Sequence, residues 1–158
     1  MRTALILTLF AVVIHSVAAE STPSISTQNS PEIEVIDKQF GLLQETDKGR
    51  ILTPAATVPL IEDQAYGWRM KVKSEQTTLV VREELELPVA PKTWGDPDPA
   101  RVISDDGKTC VTTRSLTPDV EGCIQNVWFV APDDPAGTYV IRVFIDSKLA
   151  ATFEFIVQ

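Results

Sequence analysis

The sequence predicts an all-β domain, a sandwich or small barrel of about seven to nine short antiparallel strands, and three observations predict it. From Ile33 onward apolar and polar residues alternate with period two, the signature of strands with one buried and one wet face. The alternating runs are short and are separated by Pro, Gly and Asp turns. No stretch carries helical periodicity of any length.

Ile33–Leu42 and a short piece near Thr57–Ile61 supply the opening strands. The clearest strand is Tyr66–Lys73, where Tyr66, Trp68, Met70 and Val72 alternate with Gly67, Arg69, Lys71 and Lys73; Trp68 is expected inside and Arg69 outside. After a turn near Gln76-Thr77, Leu79, Val81, Leu85 and Leu87 continue the alternation, with Arg82, Glu84 and Glu86 facing out. Pairing the two runs as a hairpin sets Arg69 against Glu84 and Trp68 beside Leu85, so charge and hydrophobic face agree in one register. That register points Glu83 inward beside Met70. A buried carboxylate is costly unless paired, so the expected relief is a bulge at Glu83-Glu84 or an edge position where the side chain reaches water.

Next come Val102–Ser104, a turn at Asp105-Asp106-Gly107-Lys108, then Thr109–Ser115 and Cys123–Val130. The chain closes with a hairpin: Tyr139, Ile141, Val143 and Ile145 share one face, Asp146-Ser147-Lys148 turns, and Leu149, Ala151, Phe153, Phe155 and Val157 return on that face. Trp68 and Trp128 are expected in the core.

Asp134-Pro135-Ala136-Gly137-Thr138-Tyr139 and the hairpin after it resemble the end of bacterial immunoglobulin-like or fibronectin-type modules, in which a G-x-Y introduces the penultimate strand and the tyrosine hydroxyl braces the corner. Gly137 and Tyr139 match that pattern, while Pro135 stands where an Asp is usual. The resemblance covers about the last thirty residues well and implies an immunoglobulin-like two-sheet sandwich over 32–158. Ile141 occupies the place of the second core cysteine of antibody domains, so the antibody disulfide is missing. A fold of this kind transfers no function.

The first residues carry a basic Arg2, an apolar run from Ala4 through Ile14 and a small-residue exit at Val17-Ala18-Ala19, the layout of a secretory signal peptide over 1–19. The run is shorter than the roughly 20 residues of a spanning helix, and no second apolar segment follows, so no membrane insertion of the mature chain is expected. Residues 20–31 are Ser, Thr, Pro, Gln and Asn with a single Ile25, and read as a disordered leader. Removing the first 19 of 158 residues leaves 139, with 13 basic residues against 22 acidic and a net charge of −9. That balance argues against binding to nucleic acid. The two cysteines, Cys110 and Cys123, both fall in the mature part, and an even pair in an oxidising compartment predicts a disulfide.

Function is bounded mainly by exclusion. The single histidine, His15, leaves with the signal segment, so a Ser-His-Asp or Cys-His centre cannot be built and zinc loses its commonest neutral ligand. No Gly-rich phosphate loop is present, and Asp105-Asp106-Gly107 is explained as a turn without a metal, so neither a cofactor nor a metal is expected. A carboxylate-based hydrolase stays formally open, since two acids suffice for glycoside hydrolysis. The acids here cluster in turns, where Asp is favoured whatever the function. What remains is recognition. Pro88–Ala100 is long and irregular for a sandwich, and it carries Trp94 with the stiffened pairs Asp96-Pro97 and Asp98-Pro99. Trp94, Asp96 and Asp98 are therefore the candidate binding residues of a non-enzymatic, periplasmic or secreted module that recognises a protein or a glycan, with Trp94 equally readable as a plug at the end of the sandwich core. The rival readings are an inhibitor or accessory subunit of an envelope or host enzyme, and the hydrolase.

Overall fold

The structure, a computed structural model, describes residues 32–47 and 49–158; the signal segment and leader expected over 1–19 and 20–31 lie outside the described residues. Among the described residues ten strands follow in chain order: β1 (Glu34–Thr46), β2 (Gly49–Pro54), β3 (Thr57–Val58), β4 (Ala65–Lys73), β5 (Leu79–Glu86), β6 (Arg101–Ile103), β7 (Thr109–Leu116), β8 (Cys123–Phe129), β9 (Gly137–Ile145) and β10 (Lys148–Val157). They form two sheets, one of four strands in the order β2-β1-β4-β8 and one of six in the order β3-β10-β9-β5-β7-β6. The count exceeds the expected seven to nine. β2 is an edge strand whose Ile51 and Leu52 stand side by side, so it carries no period-two signal, and β3 is only two residues long.

The inner faces meet in one core. Tyr66, Trp68, Met70 and Val72 of β4 are buried against Leu79, Val81 and Leu85 of β5 and Ile141, Val143 and Ile145 of β9. Phe40 of β1 stacks on Phe155 of β10 with ring centroids 4.2 Å apart, and Tyr66 and Tyr139 pack at the edges of Phe155. Such tilted and offset rings add to plain area burial. The β9–β10 hairpin turns on Asp146 and Ser147, both at positive φ, a twist that matches two-residue hairpins. A bulge between Leu149 and Ala151 rotates Leu149 out to solvent, the one expected inward residue of β10 that is exposed. At the corner before β9 the Tyr139 hydroxyl donates to the carbonyl of Pro135 at 2.8 Å, so the brace needs only a backbone oxygen and tolerates proline there.

Two expectations are corrected. β4 and β5 do not pair: β4 lies between β1 and β8, β5 between β7 and β9, and the segment joining them crosses from one sheet to the other. Period two fixes which face is buried but not which strand lies alongside. Arg69 finds its acids on the loop before β8, Asp119 at 3.3 Å and Glu121 at 2.6 Å, while Glu84 pairs with Arg82 on its own strand.

The second correction concerns the cysteines, which are free. Cys110 is fully buried near the start of β7 in the six-stranded sheet, whereas Cys123 opens β8 in the other sheet. Cys123 sits opposite Lys71 of β4, on the outward face shared with Arg69, so the two sulfurs face different sides of different sheets. The chain leaves β7 only after Leu116, which sets Cys110 about six residues, or roughly 20 Å, from the end that turns toward Cys123. A disulfide requires Cα atoms within about 7 Å.

Candidate functional site

Glu83 is the least expected residue of the core. No bulge interrupts β5 at Glu83-Glu84, where pairing to both β7 and β9 is continuous, and the side chain is 3% exposed. Relief comes instead from across the sandwich. The indole N–H of Trp68 on β4 donates to Oε2, that of Trp128 on β8 donates to Oε1, and the Asn126 amide donates to both oxygens at 3.1 and 3.2 Å. Every partner comes from the four-stranded sheet, so the carboxylate ties the two layers together. An indole nitrogen only donates, and these donors complement an ionised carboxylate. Burial outweighs them and holds the carboxyl above its ordinary 4.5, with the hydrogen bonds of Trp68, Trp128 and Asn126 pulling the other way.

Beside this bridge the sandwich opens into a cleft of about 280 Å³ between β8, β7 and the Pro88–Ala100 loop, with Trp94, Arg101, Thr112, Arg114, Asn126 and Trp128 among its walls. Trp94 is half-buried against the core, and its indole N–H donates to the carbonyl of Gly107 at 2.9 Å, fastening the loop to the β6–β7 turn. Arg101 braces the loop from below: its Nη1 donates to the carbonyls of Trp94 and, at 3.2 Å, Asp96, while its Nε is buried with no partner among the described residues. Asp134 also lines the cleft, its carboxyl raised by burial, and accepts the Ala131 N–H at 2.8 Å.

Of the candidate binding residues, Trp94 lines the cleft while Asp96 and Asp98 are absent from its walls. Asp96 contributes its backbone carbonyl to Arg101 and exposes its side chain. Asp98 accepts the Ala100 N–H at 2.9 Å and meets Arg114 at 2.7 Å, so it shapes the loop and partly neutralises one of the two arginines. The sequence reading missed Arg101, Arg114 and Asn126. A signal for Asn126 was present: Ile124, Asn126 and Trp128 of β8, with Val130 just after it, share one inward parity, and an inward acid demands inward donors.

A second group of ligand-type atoms belongs to Asp119, Glu121 and Cys123, which lie within 4.8 Å of one another. Asp119 Oδ1 already accepts the N–H of Cys123 at 2.8 Å and of Glu121 at 2.9 Å, and Arg69 occupies the outer oxygens of both acids. The group is explained as a capped turn. Asp106 likewise caps its own turn, accepting from the Ser104 hydroxyl at 2.7 Å and the Lys108 N–H at 3.1 Å. Among the described residues no helix is long and apolar enough to cross a membrane.

No curated protein matches the sequence. An immunoglobulin-like protein from Pseudomonas aeruginosa superposes with a TM-score of 0.59 at 16% identity, over 80% of this chain and 97% of its own, a likeness that shows the fold. The alkylpurine DNA glycosylase AlkC of Pseudomonas fluorescens, solved with DNA containing an abasic site analogue, matches at a TM-score of 0.45 and 11% identity, over 82% of this chain and 31% of its own. With the immunoglobulin-like sandwich established and residues 38–158 matched, the chain belongs to the PM0630 beta sandwich domain family.

Proposed function

We propose that this chain is an exported, non-enzymatic binding module that recognises a protein partner in the cell envelope or outside the cell through the cleft between β8 and the Trp94 loop. The observation that carries this reading is the composition of the cleft, where two indoles and two guanidiniums converge on a chain that is otherwise acidic. Trp and Arg are the residue types that dominate interface energetics. The loop is held by hydrogen bonds from Trp94, Arg101 and Ala100, so little order remains to be gained on binding. A chain whose only histidine lies in the signal segment fits recognition better than proton-transfer catalysis.

The test begins with the mature chain from Glu20 immobilised against envelope extract, the captured protein being identified and its affinity measured in purified form. Trp94→Ala and Arg114→Gln are each expected to weaken that affinity by at least about fivefold. Full affinity in both variants would remove the cleft from the interface. Fractionation of the producing cells checks export, which predicts a chain beginning at Glu20 outside the cytoplasm.

A further inference from the structure

β8 is the outer strand of its sheet, and the cleft runs along its unpaired side. Which backbone groups face that side follows from the register. β8 pairs β4 antiparallel with Phe129 opposite Ala65 and Cys123 opposite Lys71. At the two ends Val130 N–H donates to the Gln64 carbonyl at 3.1 Å and Val72 N–H donates to the Gly122 carbonyl at 2.8 Å. Hydrogen-bonded and non-hydrogen-bonded pairs alternate in an antiparallel ladder, so the even-numbered residues of β8 bond to β4 and the odd-numbered ones turn their N–H and C=O outward. Cys123 confirms the parity, since its outward groups are taken by the Asp119 turn: its N–H by the carboxylate at 2.8 Å and its C=O by the Asp119 N–H at 2.9 Å. Gln125, Val127 and Phe129 are left, three residues whose main-chain groups form an open template; Val127 and Phe129 line the cleft and Gln125 continues the edge beyond it.

Such an edge is a liability unless it is blunted or used. Among the described residues no proline, inward charge or covering strand blunts it, and Phe129 stands half-exposed beside it. The opposite wall supplies a preference of sign. Arg101 spends Nη1 on two carbonyls, and its Nε, which belongs to the side-on edge that grips a carboxylate, is buried without a partner among the described residues. Arg114 stands near it on β7.

Resting on the cleft reading above, we propose that the partner is bound as an extended acidic peptide that adds as a strand to β8. It pairs with the outward groups of Gln125, Val127 and Phe129, while an alternate Asp or Glu side chain enters the cleft to meet Arg101. Strand addition gives affinity through the main chain and specificity through pockets for every second side chain.

The probes are capped heptapeptides in which valine alternates with glutamate, lysine or serine, and a glutamate peptide N-methylated on the residues that face β8. Binding is followed by amide shifts and hydrogen exchange of the mature chain. The glutamate peptide is expected to bind, to protect the amides of Gln125, Val127 and Phe129, and to exceed the lysine peptide by at least about tenfold. N-methylation abolishes binding. Arg101→Lys, which keeps the charge and a donor for the loop carbonyls, reduces the preference for glutamate over serine by at least about fivefold. Failure of all the peptides to bind, or binding that ignores N-methylation and leaves the three amides unprotected, would overturn strand addition. In either case the Trp94→Ala result with the captured protein decides separately whether the cleft is the interface. Concentration-dependent protection of the same three amides without peptide would assign the edge to a second copy of the chain and overturn the peptide reading.

Discussion

Replacing Glu83 by glutamine changes one carboxylate oxygen into an amide and leaves the shape of the core intact. Four hydrogen bonds converge on the two oxygens, from Trp68, Trp128 and twice from Asn126. An amide presents one acceptor oxygen and one donor nitrogen. Asn126 could flip to accept from that nitrogen, but the indole on the same side cannot, because it has only a proton to offer. Glu83→Gln therefore leaves at least one buried indole N–H unsatisfied, at a cost of about 1–3 kcal/mol. Burial of the charge works in the opposite direction and gives the experiment a pH signature. With the folded carboxyl above 4.5, the native state binds more protons than the unfolded state across that window. Wild-type stability from this group is thus fully present below 4.5 and declines as pH rises through the folded value, whereas the glutamine variant has no such slope. Urea unfolding followed by circular dichroism should show a larger deficit for Glu83→Gln at pH 4 than at pH 8. A variant as stable as wild type at pH 4 would refute the reasoning, showing that the inter-sheet hydrogen bonds contribute nothing when the carboxyl is neutral. A deficit that grows from pH 4 to pH 8 would refute the assignment of burial as the larger influence on the carboxyl.

The cysteines should behave independently: brief alkylation of the folded chain labels Cys123, while Cys110, fully buried and with its thiol pushed up to about 11 by burial, is labelled only after unfolding, as mass spectrometry would record. Tyr139→Phe removes the corner hydrogen bond to Pro135 and should cost about 1–2 kcal/mol in equilibrium unfolding with no change in far-ultraviolet circular dichroism. Trp68→Ala should cost about 3–5 kcal/mol, since it opens a cavity and takes a donor from Glu83, whereas Arg69→Ala stays within about 0.5 because its two acids are solvent-exposed; equal losses would contradict the face assignment.

The faces of the strands were legible in the sequence, and their neighbours were not. Alternation in Tyr66–Lys73 correctly buries Tyr66, Trp68, Met70 and Val72, because burial of a strand face is written residue by residue. Strand pairing is written jointly with a distant segment. Arg69 is as well matched to Glu84 as to Asp119 and Glu121, so charge complementarity alone could not tell a β4–β5 hairpin from a crossover between sheets. The same ambiguity misled the disulfide reading. That reading rested on an even pair of cysteines in an oxidising compartment, which says nothing of where the two lie in the fold, and the intervening chain finishes one strand, changes sheet and starts another.

Glu83 shows how that error hid the site. Assigned to a hairpin with β4, its inward side chain lay opposite Met70, which offers no donor, and a bulge or a wet edge was the natural escape. Placed between β7 and β9, it faces the inner side of the opposite sheet, where β8 brings Asn126 and Trp128 alongside Trp68. The donors lie 15, 43 and 45 residues away in sequence, beyond any local pattern. The cleft follows from the same placement. Asn126 and Trp128 donate to Glu83 and also form a wall of the opening, so the carboxylate fixes the edge strand against which the arginines and the Trp94 loop are set. A polar bridge buried in an apolar core rarely exceeds a hydrophobic replacement in net stability. Its use here is positional: the directed hydrogen bonds of Asn126 and Trp128, with that of Trp68 on β4, hold β8 at one distance and rotation relative to β5, which an apolar contact alone would leave free to slide.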